Sequence, residues 1–347
     1  MLTKNKTFKK IKSPKISIIT PIYNQEKTLL RYLKSIQNQE FNNLEIILID
    51  DQSIDNTLKI IEKLKVEDER IILLKNKKRQ GTLISRNIGS IKSKGEYLIF
   101  IDPDDLISES ILNHCFILAK RFNYDLIRYN LYMGNYEINL NRIVDSLKNK
   151  PIFKPNIYLY LFYGLGRIFQ LDFFITNKLI KRTLFIRALN SINKYYLHQF
   201  MIDCEDGLIN FMLYKNSDSL YFTNKIGYYY IKTKNSITNV SSDFTKRLKS
   251  NFLYFMFIFQ LTKNNNIEKN IANFIFSDIY NKNKNSIIEL LKNLRNDYQF
   301  YTKIINLYIK NDFIPLKTKL ILKKMKKELI KAKNLKMNNS QFYNSIT

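Results

Sequence analysis

Two acidic clusters end apolar runs in this chain. Asp50-Asp51 follow Leu44–Ile49 (LEIILI), and Asp102, Asp104 and Asp105 follow Tyr97–Ile101 (YLIFI). Carboxylates gathered at strand ends share a pocket with an apolar floor. There they repel one another unless a proton or a cation intervenes. A hard divalent cation, Mn²⁺ or Mg²⁺, suits oxygen ligands and binds through one or two carboxylates plus substrate phosphates. Such an ion at Asp102-x-Asp104 would neutralise a leaving diphosphate, the main electrostatic demand in breaking a sugar–phosphate bond. An isolated Asp-x-Asp, by contrast, reads as a solvated turn whose Asp104 or Asp105 caps the next helix.

The surrounding pattern places both clusters. Lys15–Thr20 (KISIIT) reads as a buried strand, Glu26–Gln39 as a helix with Leu29, Leu30, Leu33 and Ile36 on one face, and Leu44–Ile49 as a second strand. Ser53 or Asp55 can cap a helix carrying Leu58, Ile61 and Leu64. Ile71–Leu74 is a third strand, Thr82–Lys92 a helix behind Gln80-Gly81, and Tyr97–Ile101 a fourth strand. Strands alternating with helices predict an α/β fold, a mostly parallel sheet flanked by helices. Ligands of such sheets lie outside the carboxyl ends of the strands, where the two clusters stand.

Other constellations carry less. His114, Cys115, His198 and Cys204 lack chelating spacing for zinc, and Cys115 reads as packed on a helix. No Gly-rich phosphate loop is present, so metal and local donors must hold a diphosphate. Tyr228-Tyr229-Tyr230 with Lys232 and Lys234 reads as a late strand with alternating burial, against base stacking as the other reading.

Taken in order, the segments resemble family 2 glycosyltransferases of the GT-A fold. The blocks are Ser17–Asn24 (SIITPIYN), Asp50–Asn56 (DDQSIDN), Gly81 with Ser85-Arg86-Asn87-Ile88-Gly89, Lys94–Tyr97, Asp102–Asp105, Asn177-Lys178-Leu179, Glu205-Asp206 and Tyr228–Thr238. The resemblance spans about residues 16 to 238 and implies an inverting, nucleotide-sugar-dependent transferase. By that resemblance Pro21 and Tyr23 flank the nucleotide base, Tyr23 by stacking, and Asp51 accepts a hydrogen bond from it. Asp102 contacts the ribose or the metal's hydration shell, Asp104 binds the metal, and Asp206 is the general base, with Glu205 the runner-up. A positioned carboxylate is chemically apt for removing the acceptor hydroxyl's proton. The Glu205-Asp206 pair also suits a helix N-terminus. Arg86 reads as either a diphosphate contact or a structural partner of Asp50 or Asp55, the latter favoured. Asn235–Thr238 resembles a lid that would exclude water. The sequence departs from the family at Gln52, where Gly is usual, at Pro103 inside the metal motif, and at Ser85, where Ala is common.

Composition sets the outer limits. Lys and Arg number 57 against 30 Asp and Glu, a net charge of +27. This points to an anionic partner or to a Lys-rich coding bias. The division expected is a basic tail over 1–14, a GT-A domain over 15–240, and a helical, Lys-rich region over 241–347. The Lys-rich segment after Pro315 reads as a solvated face, or as an attachment to an anionic membrane suited to a lipid-linked acceptor. Two cysteines fit reduced thiols and a cytoplasmic setting, with no transmembrane helix expected. The expected donor is a nucleotide diphosphate sugar, a uridine one favoured, and the acceptor a hydroxyl of a glycan, lipid-linked saccharide or protein. A non-catalytic nucleic-acid-binding protein is the rival class, disfavoured because carboxylates at the strand ends would repel phosphates. A nucleotidyltransferase would need a Gly- and Arg-rich opening loop that Pro21–Gln25 does not supply.

Overall fold

The structure, a computed structural model, describes residues 8–135, 140–143, 149–154, 174–192 and 205–232, with a few single positions elsewhere. The chain divides into two compact units, Met1–Ser241 and Ser242–Thr347. Of the helical, Lys-rich segment expected in the second unit only Lys323 and Lys327 are described after Pro315, both helical and exposed, and the lid expected at 235–238, His198 and Cys204 lie outside the described residues. Among the described residues no helix is long and apolar enough to cross a membrane.

The first unit begins with three strand–helix repeats and a fourth strand: β1 (Ile16–Ile22), α1 (Leu29–Gln37), β2 (Leu44–Asp50), α2 (Thr57–Glu67), β3 (Ile71–Lys75), α3 (Thr82–Lys92) and β4 (Tyr97–Phe100). Then come β5 (Leu106–Ile107), α4 (Ile111–Phe122), β6 (Leu126–Asn135), β7 (Leu140–Ile143) and β8 (Lys150–Phe153). The last described elements are β9 (Lys178–Lys181), α5 (Arg182–Asn190), α6 (Glu205–Asn216) and β10 (Ser219–Lys232). One sheet runs β3-β2-β1-β4-β9-β6-β10-β5, with β7 on β6 and β8 on β10.

The β3-β2-β1-β4 half is parallel throughout, as the alternation predicts. β2 and β4 are buried along their whole length, which is why they read as unbroken apolar runs. Past β4 the sheet is mixed. β9 pairs antiparallel with both β4 and β6, and β10 runs parallel to β6 but antiparallel to β5 and β8. The helices α4, α5 and α6 there lie between strands that are not neighbours in the sheet, so the alternation argument stops at β4. α1 starts at Leu29, three residues later than the expected Glu26, because Gln25 O receives the N–H groups of Thr28 and Leu29 in a turn.

Close packing explains one residue of the family pattern. A Cβ on Gly89 would stand 2.7 Å from Ile19 Cγ2 and 2.8 Å from Ile49 Cδ1. Glycine there lets α3 lie directly on β1 and β2, so that its first turn reaches the carboxyl edge of the sheet. The basic N-terminal segment is docked from Phe8 onward. Phe8 bridges to Asp68, and the Arg70 guanidinium lies 3.9 Å over its ring.

Candidate active site

The carboxyl edge of the parallel half carries the candidate residues. β1 delivers Pro21 and Tyr23, β2 delivers Asp50 and Asp51, and the loop after β3 delivers Asn76 and Arg79. α3 delivers Arg86, and the turn after β4 delivers Asp102, Asp104 and Asp105. Proline is tolerated inside central strand β1 for a local reason. Ile19 O accepts the Ile101 N–H at 3.3 Å on the β4 side, and Pro21 faces that side two residues on, where pairing with β4 has ended. The strands diverge at that point.

The two acids of the first cluster have separate tasks. Asp50 accepts the Ser53 N–H at 3.2 Å and closes the turn behind β2. Asp51 is buried and faces the loop after β3. Its Oδ1 accepts from Asn76 Nδ2 at 2.7 Å and from Gln80 N at 2.8 Å, and its Oδ2 from Gly81 N at 2.8 Å. Three of about four lone-pair positions of the carboxylate are used, which leaves room for one further donor. Gly81 has φ 84°, a conformation that side chains disfavour, and it turns the loop into α3. Gln52, the residue in place of the family's glycine, also has positive φ (67°), and its side-chain amide donates to Asn76 O. Ser85, the replacement for alanine, has a function too. Its Oγ accepts from Asn76 Nδ2 at 2.9 Å and fixes the amide that holds Asp51.

Arg79 was not singled out by its sequence position. Its guanidinium lies 3.8 Å over the Tyr23 ring, a cation–π contact that covers one ring face. The signal available was only a basic run, Lys77-Lys78-Arg79, next to the Gln80-Gly81 break.

The second cluster meets the Glu205-Asp206 pair through Arg86. This buried guanidinium donates to Asp102 Oδ1 at 2.8 Å and to Asp206 Oδ1, and stands 3.9 Å from Glu205 Oε1. The preference for Asp50 or Asp55 as its partner is therefore corrected. Asp50 is occupied by its own turn, and Asp55 by Thr57 N and Glu26 N. Position within α3 decides the matter, because Arg86 lies one turn inside the helix and on its buried face. Burial alone would weaken the hold of Arg86 on its proton, but Asp206, Asp102 and Glu205 outweigh it and keep the group firmly charged. Asp206 and Glu205 occupy the first turn of α6, where carboxylates are favoured by the helix dipole. The second Asp206 oxygen accepts the Ile175 N–H at 3.1 Å. Burial raises the proton affinity of Asp206, and Arg86 opposes that rise.

Asp102 and Asp104 are half-buried. Burial, followed by the charge of Asp102, lifts Asp104 from the ordinary carboxylate range to about 6. Asp105 is fully buried and inward. Its oxygens accept from Tyr228 OH at 2.6 Å and Ile231 N at 2.8 Å, while the Tyr228 hydroxyl also accepts the Asp102 N–H at 3.3 Å. The turn after β4 is thus bolted to β10, a role that the tyrosine run did not reveal. Pro103 fits between, since the turn takes its hydrogen bond from Asp105 N to Asp102 O at 3.1 Å.

Asp102, Asp104, Asp105, Glu205 and Asp206 stand against Arg86, Arg31 and Lys178, an excess of carboxylates over cations, and burial first, then the neighbouring carboxylates, raises Asp104 and Asp105. A divalent ion fits that excess. Among the described residues no three His, Cys, Asp or Glu side chains form a ready-made cage. The donor set therefore suits an ion that takes one or two carboxylates and completes its shell with substrate phosphates and water. His114 lies elsewhere, against Thr223 Oγ1 at 2.9 Å, and Cys115 is a buried free thiol on α4.

Comparison with known proteins agrees with this geometry. The sequence profile described as glycosyl transferase family 2 matches residues 17–187. An uncharacterized glycosyltransferase of Haemophilus influenzae is 33% identical over 214 residues, covering 60% of this chain and 78% of that protein. The Escherichia coli UDP-Glc:alpha-D-GlcNAc-diphosphoundecaprenol beta-1,3-glucosyltransferase WfaP is 41% identical over 140 residues, 39% of this chain and 51% of its own length. Among solved structures, S. aureus TarS 1–349 in complex with UDP-GlcNAc superposes with a TM-score of 0.64 at 16% identity, covering 93% of this chain and 92% of that one. With the profile match, the relative covered over most of its length and the shared GT-A-like fold, the chain belongs to glycosyl transferase family 2.

Proposed function

We propose that this glycosyltransferase moves one sugar from a uridine diphosphate sugar to an acceptor hydroxyl with inversion, using a divalent metal at Asp102 and Asp104 and Asp206 as general base. The observation that carries this reading is the convergence of Asp102 and Asp206 on Arg86. The donor-side carboxylate and the candidate base, 104 residues apart in sequence, are held on one guanidinium.

In this reading the base of the nucleotide lies on Tyr23, and its N–H takes the remaining lone-pair position of Asp51. Asp102 and Asp104 would hold the metal, which would supply positive charge to the diphosphate. Asp206, raised by burial and oriented by Arg86 and Ile175 N–H, accepts the acceptor proton as the hydroxyl oxygen bonds to the anomeric carbon. The bond from that carbon to the diphosphate oxygen breaks, and its electron pair leaves with the nucleotide. A single displacement of this kind inverts the anomeric centre. The catalytic domain is assigned to 15–240, with 241–347 as an accessory region. A lipid-linked saccharide is the favoured acceptor, because WfaP is named for a diphosphoundecaprenol acceptor and this chain carries a net charge of +27.

Thermal unfolding tests the donor site. UDP, UDP-glucose, UDP-galactose and UDP-N-acetylglucosamine are each added with Mn²⁺, Mg²⁺ or chelator. A ligand at a hundredfold excess over its Kd stabilises by about 2.7 kcal/mol, a readily measured rise in Tm. The expected result is a metal-dependent rise with at least one of these, largely lost in Asp104→Asn. A rise unaffected by chelator and by Asp104→Asn removes the metal assignment, and no rise with any of them removes the donor assignment.

A further inference from the structure

Lys178, the first residue of β9, buries its ammonium completely. Taking an ammonium out of water carries a large desolvation cost, offset only by close partners. Here the ammonium donates to Phe174 O and, at 3.0 Å, to Asn177 Oδ1. The carbonyl of Phe174 and the N–H of Ile175 belong to one peptide group, and that N–H donates to Asp206 Oδ2 at 3.1 Å. A trans peptide is planar, with its C=O and N–H pointing in opposite directions. The unit therefore lies with the Lys178 cation on its oxygen side and the Asp206 anion on its N–H side, aligned with its dipole.

We propose that Lys178 is a positioning residue for the reaction, acting on Asp206 through the polarised Phe174–Ile175 peptide. The inference rests on the reading of Asp206 as base given above. Hydrogen bonds in such a chain strengthen one another at low local dielectric. The ammonium draws charge from the carbonyl, the N–H becomes a better donor, and one Asp206 oxygen is held in a fixed direction while Arg86 holds the other. The segment carrying the peptide is itself immobilised. Tyr129 N donates to Asn177 O at 3.1 Å, Tyr129 OH to Thr176 O at 2.9 Å, and Asn177 Nδ2 to Tyr129 O at 3.3 Å. Tyr129 is fully buried on β6, so the peptide's position is referred to the sheet rather than to a surface loop. Burial, with the charge of Asp102, raises the proton affinity of Asp206 above the ordinary carboxylate value, and Arg86, the Ile175 N–H and the charge of Lys178 oppose that rise.

The test is a double-mutant cycle on UDP release from UDP-glucose, UDP-galactose or UDP-N-acetylglucosamine with Mn²⁺, whichever the unaltered chain hydrolyses. This reaction needs no acceptor, yet water must still lose a proton. Lys178→Met is expected to lower kcat by about 10- to 100-fold, the scale of a misplaced catalytic group, with the donor KM changed less than about 3-fold. In an Asp206→Asn background the same substitution is expected to change kcat by less than about 3-fold, since the group it positions is gone. An equal loss in both backgrounds, or no loss in the first, overturns the proposal. If Lys178→Met does not fold, Lys178→Gln, which retains a donor for Phe174 O without the charge, carries the same cycle. The Ile175 amide proton, assigned in ¹⁵N-isoleucine-labelled protein by comparison with Ile175→Val, should move upfield in Lys178→Gln; an unchanged resonance also overturns it. An unaltered chain that releases UDP from none of the donors sinks the UDP-sugar reading on which the inference rests. Active Lys178 variants beside an active parent sink only this inference.

Discussion

Asp206 has both oxygens engaged, one by Arg86 and one by the Ile175 N–H, and it sits at the head of α6. A base so held is oriented before the acceptor arrives, and its removal should affect the proton-transfer step rather than donor binding. Asp206→Asn is expected to lower the transfer rate by about 10²- to 10⁴-fold, the usual contribution of a positioned base. The UDP-induced rise in Tm should stay near that of the unaltered chain; near-normal turnover in Asp206→Asn would falsify the base assignment. At this scale the sequence was informative about residue types and silent about pairing. The order of blocks singled out Asp102, Asp104, Glu205 and Asp206. Nothing in one dimension shows that an arginine on α3 crosses to an acid 120 positions later. The same holds for Asn76, unremarked in the sequence, and Ser85, noted there only as a departure from the family, which together fix Asp51.

Elements are placed by capping and close approach. Asp55 stands before the first turn of α2, its Oδ1 accepting Thr57 N at 3.0 Å and its Oδ2 accepting Glu26 N at 3.2 Å. It thus ties the start of α2 to the loop that follows β1. Burial by itself would raise the Asp55 pKa, but the hydrogen bonds from Thr57 and Glu26 prevail and bring it below the ordinary value. A carboxylate depressed on folding stabilises above its unfolded pKa, and that contribution is lost as pH falls through the folded value. Asp55→Ala should therefore cost about 1 kcal/mol at pH 7, the usual magnitude of a lost cap. Denaturant melts of the two proteins should converge below about pH 4, near the carboxylate range. A pH-independent difference would mean that packing, not charge-assisted capping, sets the effect. The boundaries of β2, β3, α3 and β4 were legible to within a residue or two, because the strands are unbroken apolar runs and α3 lies between the breaks at Gln80-Gly81 and Lys94-Gly95. The strands after α4 were not, because their pairing depends on partners far along the chain.

For the whole molecule, the acidic edge of the sheet contrasts with a net charge of +27. Basic residues elsewhere must then outweigh the site, and the sequence after Pro315 alone supplies a run of lysines. A protein that works on a lipid-linked saccharide gains from residence at an anionic bilayer, where each nearby Lys contributes about 1 kcal/mol. The full chain is expected to float with vesicles containing acidic phospholipid at about 0.1 M salt, and to be released as salt shortens the Debye length. Equal recovery with neutral and acidic vesicles would assign the charge to composition alone.

The sequence by itself determined the fold class, the parallel half of the sheet and the acids at its carboxyl edge. Those features rest on local periodicity and on residue types whose chemistry is intrinsic. Tertiary structure alone decided which charges meet. It brought Arg86 between Asp102 and Asp206, bolted the turn after β4 to Tyr228 on β10, and set Lys178 and Asp206 at opposite ends of one peptide. Each of those contacts joins segments whose separation is fixed only when the strands take their order in the sheet. Their energies arise from burial, a property that no residue has before the chain is folded.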